Sequence, residues 1–90
     1  MHIANRVGDI QGGLLLGLAG RTCSAALPQG WRMLDISAQY IAPSPRSGVV
    51  MRAKTLRIGR SLASVECEAT DAAGRLTLRA QANFVKEPNI

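Results

Sequence analysis

One carboxylate is a candidate general base because polar side chains recur beside it at alternate positions. Asp35 is followed by Ser37 and Gln39 in an alternating segment. Successive side chains of a β-strand point to opposite faces, so these three residues are predicted to share one face, with Leu34 and Ile36 on the other. A half-buried carboxylate beside a hydroxyl and an amide can hold and deprotonate a water molecule. The alternative is a polar residue on an outer sheet face or in an oligomer contact.

A second chemically suggestive feature is the glycine pair Gly12 and Gly13 at the start of an apolar run. Residues 11–27 are too apolar for a single amphipathic stripe and too short for a membrane span, so they predict a buried helix. The glycines leave the first-turn N–H groups unshielded, and a carbonyl or an anion can approach them closely. Gly17 and Gly20 each cost about 1 kcal/mol of helix propensity relative to Ala, which favours a need for bare helix surface. Close packing alone is the other explanation.

The charge balance favours an anionic partner. The chain has 11 Lys and Arg against 6 Asp and Glu, a net charge of +5. Lys54, Arg57 and Arg60 are candidates for binding phosphate groups, and solvated strand charges are the alternative. Nucleic acid is disfavoured because the cations are scattered and only one Phe, one Trp and one Tyr could stack on bases. A small molecule that carries phosphate fits better.

The metal-binding and redox residues are few. His2 is the only histidine, and Cys23 and Cys67 lack the paired spacing of zinc ligands, so no metal site is predicted. The two thiols are expected to be buried and reduced, as in a cytosolic protein. Residues 1–9 contain no apolar core of a signal peptide, so we expect a cytoplasmic location.

One helix and four strands must position these groups. Alternation of apolar and polar residues predicts strands over residues 31–42, 49–58, 62–70 and 75–85, with a hairpin turn at 71–74. Residues 1–10 are either the end of a strand or a loop that Asn5 could hold through backbone hydrogen bonds. This order predicts a single α+β domain over residues 1–90, whose antiparallel sheet curls around the helix. Because 90 residues bury only a marginal core, an oligomer is expected.

Four short motifs in this order resemble a known family. They are Asn5-x-x-Gly8-x-x-Gln11-Gly12-Gly13, Tyr40-Ile41-Ala42-Pro43, Arg57-Ile58-Gly59-Arg60 and Asp71-Ala72-Ala73-Gly74. Together they cover nearly the whole chain and are similar to the hotdog-fold acyl-CoA thioesterases. The resemblance implies a curved antiparallel sheet wrapped around a central helix, and a dimer with active sites at the subunit interface. It also implies that the chain is short at its N terminus, since the family usually has another helix and strand before the Asn motif.

Within this resemblance, one branch serves phenylacetate pathways and carries an Asn, then His-Gly-Gly, then an Asp in the helix. Asn5 and Gly12 match this pattern, Gln11 replaces the His, and the acidic position falls on Gly20. No carboxylate occurs from Gln11 to Leu34. The chain therefore lacks the helix acid that is typical of this branch.

The type II thioesterase branch places an Asp on the strand after the helix, a Gln on the last strand, and a Ser or Thr that helps to hold water. The run Leu34-Asp35-Ile36-Ser37 is similar to that strand motif. Gln81 lies one residue from the position that the family spacing gives to its Gln, and a one-residue shift changes the face of a strand. In this branch Asp35 is the implied base.

The expected function is hydrolysis of an acyl-CoA thioester, in which the N–H groups at Gly12 and Gly13 bind the thioester oxygen while Asp35 activates a water molecule. Coenzyme A is part of the substrate, and no cofactor or metal is required. A non-catalytic acyl-CoA-binding or assembly module of the same fold is the alternative, favoured by Gly20 at the acid position. Hotdog dehydratases are a third reading, but they need a site histidine and only His2 is present. The partners expected are the acyl-CoA substrate and further copies of the chain, with neither nucleic acid nor membrane. The candidate catalytic residues are Asn5, Gln11, Gly12 and Asp35, and the candidate substrate-binding residues are Gly13, Arg57, Arg60 and Gln81.

Overall fold

The computed structural model describes residues 2–7, 12–43 and 48–87, with side chains placed from residue 16 onward. The elements follow in the order β1 (His2–Val7), α1 (Gly12–Ala25), β2 (Trp31–Tyr40), β3 (Val49–Ile58), β4 (Leu62–Thr70) and β5 (Leu76–Lys86). The predicted helix and the four predicted strands are confirmed, with ends that move by a few residues. The segment before the helix, left open between strand and loop, is a strand over His2–Val7.

All five strands form one antiparallel sheet. Their order across the sheet is β1-β3-β4-β5-β2, and each neighbouring pair is antiparallel. The first and second strands along the chain therefore form the two edges. The predicted α+β arrangement of a helix on a curved antiparallel sheet is confirmed.

The helix packs on the sheet through one stripe of small residues. Ala19, Thr22, Cys23 and Ala26 are buried at the spacing of successive helical turns. Below them Cys67 is paired with an alanine on each neighbouring strand, so little side-chain bulk separates the helix from the sheet. The predicted burial of the helix holds for this stripe only, because Gly17, Arg21 and Ser24 are exposed on its other side.

The strand that carries Asp35 contains a β-bulge. The pairing of β2 with β5 shifts register between Met33 and Asp35. Met33 and Ile36 both pack against the core, whereas Leu34 is 52% exposed. The predicted strict alternation, with Leu34 on the face of Ile36, is therefore wrong, because one extra residue at the bulge resets the alternation.

The turn between β4 and β5 has the structure that its sequence predicts. Gly74 has a positive φ of 82°, which glycine adopts without steric cost. The Asp71 carboxylate accepts hydrogen bonds from the backbone N–H groups of Ala73 at 3.0 Å and Arg75 at 2.8 Å. No helix within the described ranges is long and apolar enough to cross a membrane.

Candidate active site

Four polar residues form a row across the face of the sheet that points away from the helix. Arg57 on β3 is paired with Ser64 on β4, Ser64 with Asn83 on β5, and Asn83 with Asp35 on β2. The residues that flank Ser64 and Asn83 along their strands include buried members of the core. Because neighbours along a strand point to opposite faces, the row lies on the outer face.

Hydrogen bonds connect three members of this row. The Ser64 hydroxyl donates to Asn83 Oδ1 at 2.7 Å, and Asn83 Nδ2 donates to Asp35 Oδ1 at 2.9 Å. An ionised carboxylate can only accept, and this requirement fixes which end of the Asn83 amide faces Asp35. No other hydrogen bond to the Asp35 carboxylate is found among residues 16–43 and 48–87, so Oδ2 remains available to a water molecule or a ligand.

A cleft of about 400 Å³ opens beside this row. It reaches from the bulge of β2 to the turn between β3 and β4. Its lining includes two cations, Arg57 and Arg60. Both are exposed, and neither forms an ion pair within the described part of the chain. Its lining also includes Leu34, Leu62, Ser64 and Asn83. The cleft thus combines two free cations, two apolar side chains and the hydrogen-bonded amide that holds Asp35.

Gln81 occupies the next row of the outer face. It is paired with Ser37 on β2 and with Glu66 on β4. These residues line a separate polar cleft of about 530 Å³ together with Arg79. The amide that contacts Asp35 is therefore Asn83, which sequence reasoning missed as a site residue. Its outward position was visible in the alternation of β5, but its partner depends on strand register.

The other candidates lie at or near the start of the helix. Gly12 is the first residue of α1 and Gly13 lies in its first turn, while Asn5 lies in β1 and is paired with Met51. Gln11 lies outside the described residues. Since α1 covers the inner face and Asp35 lies on the outer face, one chain does not bring the helix N terminus and this carboxylate together.

An open groove of about 610 Å³ runs between the helix and β2. A Cβ atom built at Gly20 would lie 3.4 Å from Met33 Cε and 3.8 Å from Ile36 Cδ1. A Cβ atom at Gly17 would meet nothing within 4 Å. The position where the resemblance implies a helix acid is thus bare helix surface facing apolar side chains.

The two thiols lie in the core, outside both clefts. Cys23 and Cys67 are free and buried, as predicted. Hydrogen bonding to Cys67 and burial raise the pKa of Cys23 far above that of an ordinary thiol. This pair has the character of core packing, not of an exposed nucleophile.

Comparison with known proteins gives a consistent result. The family described as acyl-CoA thioesterase N-terminal domain matches residues 4–85. No curated protein matches the chain.

Solved structures are similar over most of the chain. A thioesterase from Haemophilus influenzae is 21% identical with a TM-score of 0.80, covering 93% of this chain and 68% of that one. A hypothetical thioesterase from Streptococcus pneumoniae, solved with coenzyme A, is 15% identical with a TM-score of 0.82, covering 97% and 84%. A phenylacetic acid degradation-related protein from Ralstonia eutropha is 21% identical with a TM-score of 0.77, covering 93% and 74%. These likenesses show the fold, which is the expected hotdog arrangement.

Proposed function

Because this chain belongs to the acyl-CoA thioesterase N-terminal domain family, we propose that it hydrolyses acyl-CoA thioesters in the outer-face cleft beside Asp35. The observation that carries this proposal is the hydrogen-bonded sequence from Ser64 through Asn83 to Asp35. Asn83, which holds the Asp35 carboxylate, lines a cleft together with two arginines that form no ion pair among the described residues.

Asp35 is the proposed general base. Its Oδ2 atom removes a proton from water while the oxygen of that water attacks the thioester carbonyl carbon. Collapse of the tetrahedral intermediate breaks the bond from carbon to sulfur, and Asp35 returns the proton to the departing thiolate. The products are a carboxylic acid and free coenzyme A, and Asp35 ends the cycle ionised.

Asn83 and Ser64 are proposed as positioning residues. Asn83 holds Oδ1 of the carboxylate and thereby directs Oδ2 towards the reacting water. Ser64 occupies the carbonyl end of the Asn83 amide, which prevents that amide from rotating. Asp35, Asn83 and Ser64 are a carboxylate, an amide and a hydroxyl, the residue types that the type II branch implies. Asn83 supplies the amide that was expected from Gln81.

Arg57 and Arg60 are proposed to bind the phosphate groups of coenzyme A. Both are exposed, and both line the cleft that Asn83 borders. Guanidinium groups bind phosphate through paired, charge-assisted hydrogen bonds. Leu34 and Leu62 supply apolar surface between the phosphate end and the reacting carbonyl.

The helix N terminus offers a competing location for the same reaction. Gly12 and Gly13, with Asn5 and Gln11 before them, could present N–H groups to a thioester oxygen. That location has no acid of its own on the helix, because α1 contains neither Asp nor Glu. We therefore favour the outer-face cleft, since its lining residue Asn83 is hydrogen-bonded to a carboxylate.

We also propose that the protein is a homodimer joined through β2. This strand is a ten-residue edge, and exposed strand edges readily pair with another chain. Two copies related by a two-fold axis would pair their β2 strands antiparallel. The groove between α1 and β2 lies along this same edge and would be covered by the second copy.

A non-catalytic acyl-CoA-binding module is the second candidate. The observation that favours it is Gly20, which stands where the phenylacetate branch carries its acid and faces Met33 and Ile36. In such a module Arg57 and Arg60 would still bind coenzyme A. Binding without turnover is the property that separates it from the enzyme.

The deciding experiment follows thiol release from short-chain, medium-chain and aryl acyl-CoA esters. Asp35→Asn keeps an acceptor for Asn83, and we expect it to lower kcat by about 10² to 10⁴-fold, the usual contribution of a general base. Glu66→Gln is the matched control, since it removes a carboxylate from the next row of the same face. Coenzyme A binding measured by calorimetry, with no turnover of any ester by the parent chain, would establish the binding module instead.

A further inference from the structure

The end of the hairpin formed by β3 and β4 exposes apolar side chains that the proposed reaction does not fully use. We call residues 56–62 the hairpin tip. Leu56 is 45% exposed, Ile58 53% and Leu62 58%. Three large apolar residues within seven positions leave an uncovered apolar surface at one end of the molecule.

These side chains lie on both faces of the tip. Ile58 is paired with the buried Ala63 and so belongs to the inner face. Leu62 is paired with Val85 and belongs to the outer face with the polar rows. Exposed apolar patches mark interaction sites for proteins or membranes, and a tip that is apolar on both faces presents such a surface on two sides.

The charges at the tip select the partner. Arg57 and Arg60 are exposed and form no ion pair within the described ranges. Arg32, Arg75 and Arg79 have carboxylate partners, whereas Arg21 and Arg52 have none among the described residues. Arg57 and Arg60 are distinguished by their place: they put two cations directly beside the exposed leucines and isoleucine, in a chain whose net charge is +5.

The tip is also held in position by backbone hydrogen bonds. The Gly59 N–H donates to the Leu62 carbonyl at 2.8 Å, and the Lys86 N–H donates to the Ser61 carbonyl at 2.9 Å. Lys86 is in turn paired with Trp31, with its ammonium 5.7 Å from the ring centroid. Because the tip is preformed, docking would not have to order it.

We propose that the hairpin tip docks on membranes that contain anionic phospholipids, with Ile58 and Leu62 entering the interface and Arg57 and Arg60 contacting lipid phosphates. The apolar residues supply hydrophobic burial, and the arginines supply an attraction that salt screens. This surface role goes beyond the proposed hydrolysis and does not depend on it, although Arg57, Arg60 and Leu62 also line the proposed acyl-CoA cleft. It differs from the expectation from sequence that no membrane partner exists.

The chain provides its own probe for the test. Trp31 is the only tryptophan, and its backbone partner Lys86 bonds to the tip. The experiment adds vesicles of phosphatidylcholine, with or without phosphatidylglycerol, to the full chain in the absence of any acyl-CoA. We expect a blue shift of Trp31 emission and co-sedimentation only with the anionic vesicles, both reversed by high salt.

Two pairs of variants locate the contact. Arg57→Gln with Arg60→Gln is expected to weaken binding by about 30-fold, the effect of two basic residues near an anionic surface. Arg75→Gln, at the opposite end of the hairpins, should leave it unchanged. Ile58→Ser with Leu62→Ser should abolish the blue shift, whereas Ile41→Ser, which changes an apolar residue 48% exposed at the far end, should not. Circular dichroism verifies that each variant is folded.

Three results would overturn this proposal. One is an absence of binding to anionic vesicles, and another is equal losses in the tip variants and in their far-end controls. The third is a Trp31 shift that appears without vesicles as protein concentration rises, which would show that a second copy covers the tip. Hydrolysis is measured separately with soluble short-chain esters and no vesicles, so failure of either proposal is recognised independently.

Discussion

Asn83 donates a hydrogen bond of 2.9 Å to Asp35 across 48 residues of chain, and it does so on the face of the sheet that the helix does not touch. This contact exists because β5 lies beside β2 at the edge of the sheet, although two strands, β3 and β4, separate them in sequence. A carboxylate on an edge strand would otherwise be free to rotate in solvent. The amide holds one oxygen of the carboxylate, and the proposed reaction uses the other oxygen as the base.

Loss of this amide should affect turnover more than binding. We expect Asn83→Ala to lower kcat for acyl-CoA hydrolysis by about tenfold with little change in KM, because the carboxylate is retained but no longer held. Steady-state kinetics against Gln81→Ala, a change in the next row of the same face, provide the comparison. Equal kcat values for the two variants would show that the hydrogen bond to Asp35 has no part in the reaction.

Ser64 should act through Asn83 and not on the substrate. Ser64→Ala leaves the Asn83 carbonyl without its donor, which should reduce the free energy of unfolding by about 1 kcal/mol and kcat by a few-fold. Ser64→Thr keeps the hydroxyl and should restore both values. If the threonine variant is as slow as the alanine variant, the hydroxyl does not position the amide.

The phosphate assignment predicts a change in KM. Arg57→Gln with Arg60→Gln should raise KM for acyl-CoA by about tenfold while kcat stays near the parent value, since the proposal assigns the arginines to the phosphate end and not to the reacting carbonyl. The increase should disappear for the acyl thioester of pantetheine, because pantetheine has no phosphate group for the arginines to bind. A pantetheine ester affected as strongly as the coenzyme A ester would remove these arginines from the phosphate site.

The sequence predicts the elements better than it predicts the site. Alternation identifies every strand after the helix, and glycine at position 74 marks the last turn, because both depend on local geometry. The bulge at Leu34 has no such signal, and it decides which side chains of β2 face outward. The pairing of Asp35 with Asn83 is non-local, since it depends on the register between strands that are distant in the chain. For that reason Gln81 was predicted and Asn83 was missed.

The buried thiol pair predicts how stability changes at alkaline pH. The pKa of Cys23 is raised in the folded chain, so an unfolded chain loses this proton at the ordinary thiol pKa of about 8.5 while the folded chain keeps it. The contribution of Cys23 is therefore complete below that pKa and declines as the pH rises above it. Urea unfolding at several pH values should show this decline, and Cys23→Ala should make it shallower. Equal slopes for the two chains would mean that Cys23 ionises as easily folded as unfolded.

The bare glycines of the helix give a prediction that separates packing within one chain from packing between chains. A methyl group at Gly17 meets nothing within 4 Å, so Gly17→Ala gains helix propensity without a clash. The variant should raise the free energy of unfolding of the monomer by about 0.5 to 1 kcal/mol, measured by urea denaturation in dilute solution.

At higher concentration the methyl group of Gly17→Ala should weaken the β2-joined dimer, because it projects into the groove that the second copy covers. Analytical ultracentrifugation tests this, with Gln29→Ala, an exposed position outside the groove, as the control. A Gly17→Ala dimer as tight as the parent's would show that the groove stays open between the two copies.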